Sequence, residues 1–315
     1  MEFAKNIVLD DGKLNDEKVL KREILYRGMN GKYVERFYVS PTKSYVFKPL
    51  TNNGQLGKEV WVNEHLLSLF PNIYPKMVSY SANHHDPNKN WMIFEDLGQL
   101  THEFNKETVY GVTKLIAWWH SLSIDQLVDI PLTGPKPPIE EILTEVTLRK
   151  NEFIKQLPIL DMEEKNIDHL FNILEQMEFS KELVLSHGDL HLGNYAVVNN
   201  QIVVLDWEHT HLNTPYWDLF HVIDMSHPIF PKQITSQFRG GILKVYLEHV
   251  NAMVNEEDFI REYHLFSAVF SIWMIMLILK DLKSNEGKWS KEQLENQLKE
   301  TVSSLKQCLN SLGQE

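Results

Sequence analysis

Residues 183–209 read LVLSHGDLHLGNYAVVNNQIVVLDWEH, and no other stretch constrains the fold as tightly. An apolar run delivers His187-Gly188-Asp189, and Asn194 follows five residues later. YAVV, the turn Asn199-Asn200 and QIVVLD then read as a hairpin whose second strand ends at Asp206. The pattern predicts Asp189, Asn194 and Asp206 on loop ends around one hairpin.

The rest of the chain changes character near residue 98. Before it, Glu23–Arg27, Tyr33–Val39, Ser44–Lys48, Lys76–Ser81 and Trp91–Glu95 read as strands, and 57–70 as a helix ended by Pro71-Asn72. Asn30-Gly31 predicts a type I′ hairpin turn between the first two strands. After Gly98, helical spacing dominates: 105–122, 139–156, 161–179, 232–251, 256–283 and 289–311. Short β-like runs interrupt it at 184–186 and 201–205. The Pro-rich stretch Pro131–Pro138 reads as a loop within this region. The expected organisation is α+β, a β-rich lobe at 1–97 and a larger α-rich lobe at 98–315.

Charge divides along the same line. Residues 1–97 carry a net +1 and residues 98–315 a net −13, within a chain total of −12. A phosphate backbone wants a basic face, so nucleic acid is not an expected partner. The acidic segment reads as a solvated surface, or as the receiver of a cationic small molecule. The longest apolar run, Leu265–Leu279, has 15 residues with Ser267 and Ser271 inside it. That falls short of the ~20 a membrane span needs, so a buried helix and no membrane partner are expected. The opening MEFAKNIVLDDGK turns acidic too early for a signal peptide. A single cysteine, Cys308, excludes an internal disulfide framework and fits the cytoplasm.

The chemistry that suits 183–209 is phosphoryl transfer from a nucleotide. One carboxylate must accept the proton of the attacking hydroxyl, and a carboxylate with a side-chain amide suits Mg²⁺, a hard cation. Five residues of loop can turn Asn194 back towards a metal that Asp206 also holds.

The sequence resembles the aminoglycoside phosphotransferase and choline kinase family, small-molecule kinases with the protein-kinase fold. The family's H-G-D-x-x-x-x-N motif is matched by His187, Gly188, Asp189 and Asn194, and its metal-binding aspartate by Asp206 in DWE. Its later aspartate is matched by Asp218 in YWDL, and a helix ending in histidine by His120 in AWWHS. The resemblance implies a two-lobed protein-kinase-like fold over residues 23–283, with Asp189 as catalytic base and Asn194 and Asp206 on Mg²⁺. His187 reads as a buried orienting residue. Gly188 stands where many protein kinases have an arginine that pairs with a phosphorylated activation loop, which argues against such control.

The front lobe should then hold the nucleotide, ATP or GTP. Lys48 ends its strand as a phosphate-pairing lysine would, with Glu59 or Glu64 as its partner. On a helical wheel Glu59 falls in the middle of the face of Val62, Leu66, Leu69 and Phe70, so Glu59 is expected inward. Gly28, Met29, Asn30 and Gly31 would cover the phosphates with backbone N–H groups, or form a plain turn. A base would bond the backbone around Glu95–Leu97. Glu208 reads as a metal or substrate contact or as rim. Glu208, Asp224, Glu256, Glu257, Asp258 and Glu262 are the candidate contacts for a cationic acceptor, each with a solvated face as the alternative. The acceptor's identity and the oligomeric state stay open.

Two other functions would use some of the same residues. Asp189-Leu190-His191 with nearby histidines could begin a metallophosphoesterase, but no G-D-x-x-D follows and Asn194 precedes Tyr195 rather than histidine. A non-catalytic, kinase-like binding module would have lost the base, the metal aspartate or the lysine, and all are present here.

Overall fold

Alternation of large apolar residues builds the first sheet. In the computed structural model, residues 6–313 are described, apart from Met29, His84, 128–129, 132–133, 252–254 and 285–287. They form two compact units, 1–101 with 195–209, and 102–194 with 210–315.

In the first unit, strands β1 (Lys21–Arg27), β2 (Tyr33–Ser40), β3 (Lys43–Pro49), β4 (Met77–Ser81) and β5 (Trp91–Glu95) form an antiparallel sheet of order β1-β2-β3-β5-β4. Successive side chains point to opposite faces. Phe37, Phe47 and Ile93 bury one face together with Ile7, Val8 and Leu14. Val46, Met77, Met92 and Phe94 pack with Val60 on the other. Val60 lies on α1 (Lys58–His65), so Lys48, two residues on from Val46, shares the face that α1 covers. The helix expected over 57–70 is α1 followed by a 3₁₀ turn at Leu67–Leu69.

The first turn departs from its expected form. Arg27 pairs with Tyr33, and Gly28 N–H donates to Lys32 O at 2.8 Å, closing a longer loop than a two-residue hairpin. Gly31 has φ 83°. The Asn30 side chain donates to Leu50 O at 2.7 Å and to Asn53 Oδ1 at 3.0 Å, which pins the loop to the segment after β3. A Cβ on Gly28 would lie 2.5 Å from Thr51 Cβ, so this close approach requires glycine.

In the second unit the chain forms α2 (Lys106–His120), α3 (Ile139–Leu148), α4 (Lys150–Ile154), α5 (Leu157–Leu160) and α6 (Glu164–Leu174), then strand β6 (Val184–Ser186). The helix expected over 139–156 breaks at Arg149, where φ is −103° and ψ 13°. The hairpin β7 (Tyr195–Val198) and β8 (Gln201–Val204) belongs to the first unit, although it lies far beyond residue 98. Val204 N–H donates to Ile73 O at 2.6 Å, and Val197 bridges Thr101. Its turn carries two left-handed residues, Asn199 (φ 48°) and Asn200 (φ 63°).

The second unit resumes with β9 (His211–Asn213), which pairs with β6, and with α7 (Tyr216–Ile223), α8 (Ser236–His249), α9 (Glu256–Ser284) and α10 (Lys291–Leu312). Helix α9 outruns the 15-residue apolar run at both ends and is long and apolar enough, by length and composition, to cross a membrane. Of its most apolar window, 61% is buried inside the protein, and α3, α7 and α10 pack against the helix.

Candidate active site

Strand β3 and helix α1 bring an ammonium and a carboxylate together. Lys48 Nζ lies 2.5 Å from Glu59 Oε2. Glu59 is buried beside Val60 and Val62, whereas Glu64, on the outer face, accepts from the Tyr80 hydroxyl. The wheel's choice of Glu59 is therefore the observed geometry.

The chain after β8 adds two more carboxylates within the same unit. Asp206 adopts φ 61°, a left-handed conformation uncommon for a residue with a side chain and tolerated best by Asn and Asp. Its Oδ1 lies 2.6 Å from Lys48 Nζ. Trp207 is buried against the edge of Phe70, and its Nε1 donates to Val204 O at 3.2 Å. This anchors a short turn, Trp207–His209, that places Glu208 3.5 Å from Lys48.

Three carboxylates around one ammonium leave a surplus of negative charge. Burial would lower the Lys48 pKa, but Asp206, Glu59 and Glu208 hold it well above the ordinary value. Burial pushes Glu59 up against the pull of Lys48. It raises Glu208 to about 7, with Lys48 opposing and Asp206 and Glu59 adding to the rise. Oxygens of Glu59, Asp206 and Glu208 lie within 4.8 Å of one another. An all-oxygen, net-negative donor set fits a hard divalent cation such as Mg²⁺.

The remaining expected nucleotide contacts fare differently. Gly28 N–H and Gly31 N–H donate within their own loop, and Asn30 N–H donates to Thr51 O at 3.2 Å. The donors expected to cover phosphates are thus used to close and pin the loop; Met29 lies outside the described residues. Glu95 pairs with Lys76, N–H to Lys76 O at 2.9 Å and Oε1 from Lys76 N–H at 2.8 Å. Leu97 is half-buried. Between them Asp96 accepts from Arg36 Nε at 2.7 Å and Ser44 Oγ at 2.6 Å, while Arg36 also donates to Gly98 O at 2.8 Å. Burial raises the Asp96 carboxyl, and these hydrogen bonds outweigh it, so its pKa falls below the usual value. No local pattern signals this clamp, because Arg36 and Asp96 lie 60 residues apart.

In the second unit, Asp189 stands on a loop held from beneath. Leu190 and Leu192 are buried, and Asn194 Nδ2 donates to Asp189 O at 2.7 Å. The fully buried Asp218 accepts from Ser186 Oγ at 2.7 Å and from the N–H groups of His187 and Gly188 at 2.9 and 3.2 Å. Trp119 Nε1 and His120 Nε2 reach the same carboxylate at 3.1 and 3.3 Å. His187 is fully buried, in keeping with an orienting role. Asp189 itself is half-buried, and Lys136 Nζ lies 2.8 Å from its Oδ1. Burial raises the Asp189 carboxyl, but the Lys136 ammonium above all holds it well below the usual carboxylate range. Sequence reasoning missed Lys136, which sits in the Pro-rich loop 53 residues away.

Asp224 is not an acceptor contact. It is buried and takes hydrogen bonds from Arg239 Nη2 at 2.7 Å, Tyr263 Oη at 2.6 Å, Ser267 Oγ at 2.9 Å and Ser304 Oγ at 2.5 Å. Glu262 is likewise engaged, accepting from Ser180 N–H. Glu256, Glu257 and Asp258 are exposed in the first turn of α9, where negative charge suits the helix dipole.

A family model described as "Phosphotransferase enzyme family" matches residues 85–259, more than half of the chain. The chain belongs to the phosphotransferase enzyme family. No curated protein matches its sequence significantly. Among solved structures it is similar to choline kinase LicA from Streptococcus pneumoniae, at 18% identity and TM-score 0.55 over 92% of this chain and 94% of that one. It is also similar to choline kinase from Cryptosporidium parvum Iowa II, at 16% identity and TM-score 0.57 over 99% and 95%. A third is spectinomycin phosphotransferase APH(9)-Ia, solved with ADP and spectinomycin, at 15% identity and TM-score 0.56 over 92% and 94%. At these identities the likeness is one of fold, and the phosphotransferase has the two-lobed, α+β, protein-kinase-like fold.

Proposed function

We propose that this phosphotransferase moves the γ-phosphate of ATP or GTP, carried with Mg²⁺, to a hydroxyl of a small cationic acceptor. The observation that carries the reading is the Lys48 ammonium buried against Glu59 at 2.5 Å and Asp206 at 2.6 Å. A lysine fixed by a helix carboxylate presents an oriented cation to nucleotide phosphates. Asp206 and Glu208 would hold Mg²⁺, whose charge when bound offsets the negative charge of the phosphates. Asp189 accepts the proton of the acceptor hydroxyl and aims its oxygen. An alcohol at neutral pH is a poor nucleophile, so this aim and late proton removal are the protein's main chemical contribution.

The net −13 of residues 98–315 supports a cationic acceptor, as do the choline and spectinomycin in the names of the similar structures. The test is a panel of amino-alcohols, aminoglycosides, macrolides and sugars, incubated with nucleotide in the presence and absence of Mg²⁺. The expected result is Mg²⁺-dependent nucleotide turnover and a product heavier by one phosphate. Tight nucleotide binding with no product would favour a binding module. Phosphoester cleavage without nucleotide would favour a metallophosphoesterase.

A further inference from the structure

We propose that Lys136 is a positioning residue of the transfer reaction: it holds one oxygen of the Asp189 carboxylate so that the other faces the acceptor hydroxyl. This rests on Asp189 as the proton acceptor.

The Lys136 ammonium makes two directed contacts. It lies 2.8 Å from Asp189 Oδ1 and 3.1 Å from His221 Nε2. His221 is fully buried, with Nδ1 2.7 Å from Trp217 O. A carbonyl only accepts, so Nδ1 carries the proton and Nε2 of the neutral ring is left as an acceptor for Lys136. Burial, with Lys136 next in weight, lowers the His221 pKa to about 3, so the ring stays neutral near pH 7. An ammonium with two of its three donors directed in this way has little freedom to wander. Asp189 Oδ2 lies 3.8 Å from His191 Nε2.

The loop that carries Lys136 is built to hold it there. Pro135, Pro137 and Pro138 flank it and restrict the backbone on both sides. Leu212 N–H donates to Pro131 O at 2.8 Å, tying the loop to β9. Gly134 lies so close to His211 that a Cβ would come within 2.4 Å of the imidazole. After Pro138, Ile139 is buried at the start of α3. The side chain of Lys136 is 19% exposed, unlike that of a solvated surface lysine. A carboxylate whose one oxygen is fixed cannot rotate the other away from its task, and errors of ~1 Å in such placement can cost ~100-fold in rate.

The test compares wild type, Lys136→Met, Lys136→Arg, Asp189→Asn and the Lys136→Met/Asp189→Asn double variant. Transfer is measured from MgATP to the best alcohol of the panel, or to water if none serves. Lys136→Met should lower kcat by roughly 10–100-fold and leave the nucleotide KM unchanged. Lys136→Arg should restore part of the loss, because it keeps the charge and the donors. The double variant should lose no more than Asp189→Asn alone, as expected when one residue acts through the other. Wild-type kcat in Lys136→Met, or losses that multiply in the double variant, would overturn the proposal. Should Lys136→Met melt early, Lys136→Gln takes its place under the same criteria. Near-normal turnover in Asp189→Asn would instead overturn the base assignment beneath it.

Discussion

The carboxylate of Asp218 accepts the backbone N–H of His187 at 2.9 Å. It also takes the next N–H, that of Gly188, so one buried side chain sets the entry to the loop that ends in Asp189. Asp218→Ala would strand those N–H groups and the Trp119 and His120 donors in the core. The expected cost is about 3–5 kcal/mol of stability, read from urea unfolding. Transfer should fall in the fraction that remains folded, while nucleotide affinity holds.

The pair at β3 and α1 gives a sharper contrast. Glu59→Ala should weaken productive nucleotide binding, and Glu64→Ala should leave it unchanged, since Glu64 faces Tyr80. Lys48→Ala should act like Glu59→Ala. Asp206→Ala should remove Mg²⁺-dependent turnover. Nucleotide titrations with and without Mg²⁺ separate these effects; a crippling Glu64→Ala beside a harmless Glu59→Ala would reverse the assignment.

Asp224 and Arg239 form a fully buried pair at 2.7 Å, so their loss should register in stability. Arg239→Ala leaves the Asp224 carboxylate without its cation and is expected to cost about 3–5 kcal/mol. Asp224→Asn should leave the acceptor KM unchanged once folding is allowed for, because Asp224 serves α8, α9 and α10 rather than the acceptor.

Acid should destabilise the protein through buried neutral histidines. Burial lowers His264 from 6.5 to about 4. The unfolded chain binds this proton first as pH falls, so stability is lost from about pH 6.5 down to about pH 4 and is intact above that window. A drop of that size corresponds to about 3 kcal/mol. His264→Phe should flatten the pH dependence of urea unfolding across the same window; an unchanged slope would contradict this.

How far these features could be read from the sequence depended on locality. The wheel placed Glu59 inward because its apolar neighbours lie within one short helix. The five strands were legible because aromatic and β-branched residues alternate. Helix α7 was not, because all eight of its residues are buried and no polar face breaks the pattern. Asn30-Gly31 suggested a tight turn, but the Asn30 side chain is drawn to Leu50 and Asn53, and the loop follows it. Asp224 looked like a surface acid because its partner Arg239 lies 15 residues on. Lys136, among prolines, carried no local sign of Asp189.

In the proposed reaction Asp189 takes the proton while the groups of the first unit hold the nucleotide. Asp189→Asn keeps the shape and removes the proton acceptor. The decisive measurement is turnover of this variant beside its nucleotide affinity. Turnover should fall at least ~100-fold below wild type, with affinity unchanged because Lys48, Glu59 and Asp206 are untouched. A folded Asp189→Asn protein that turns over at a near-normal rate would contradict it.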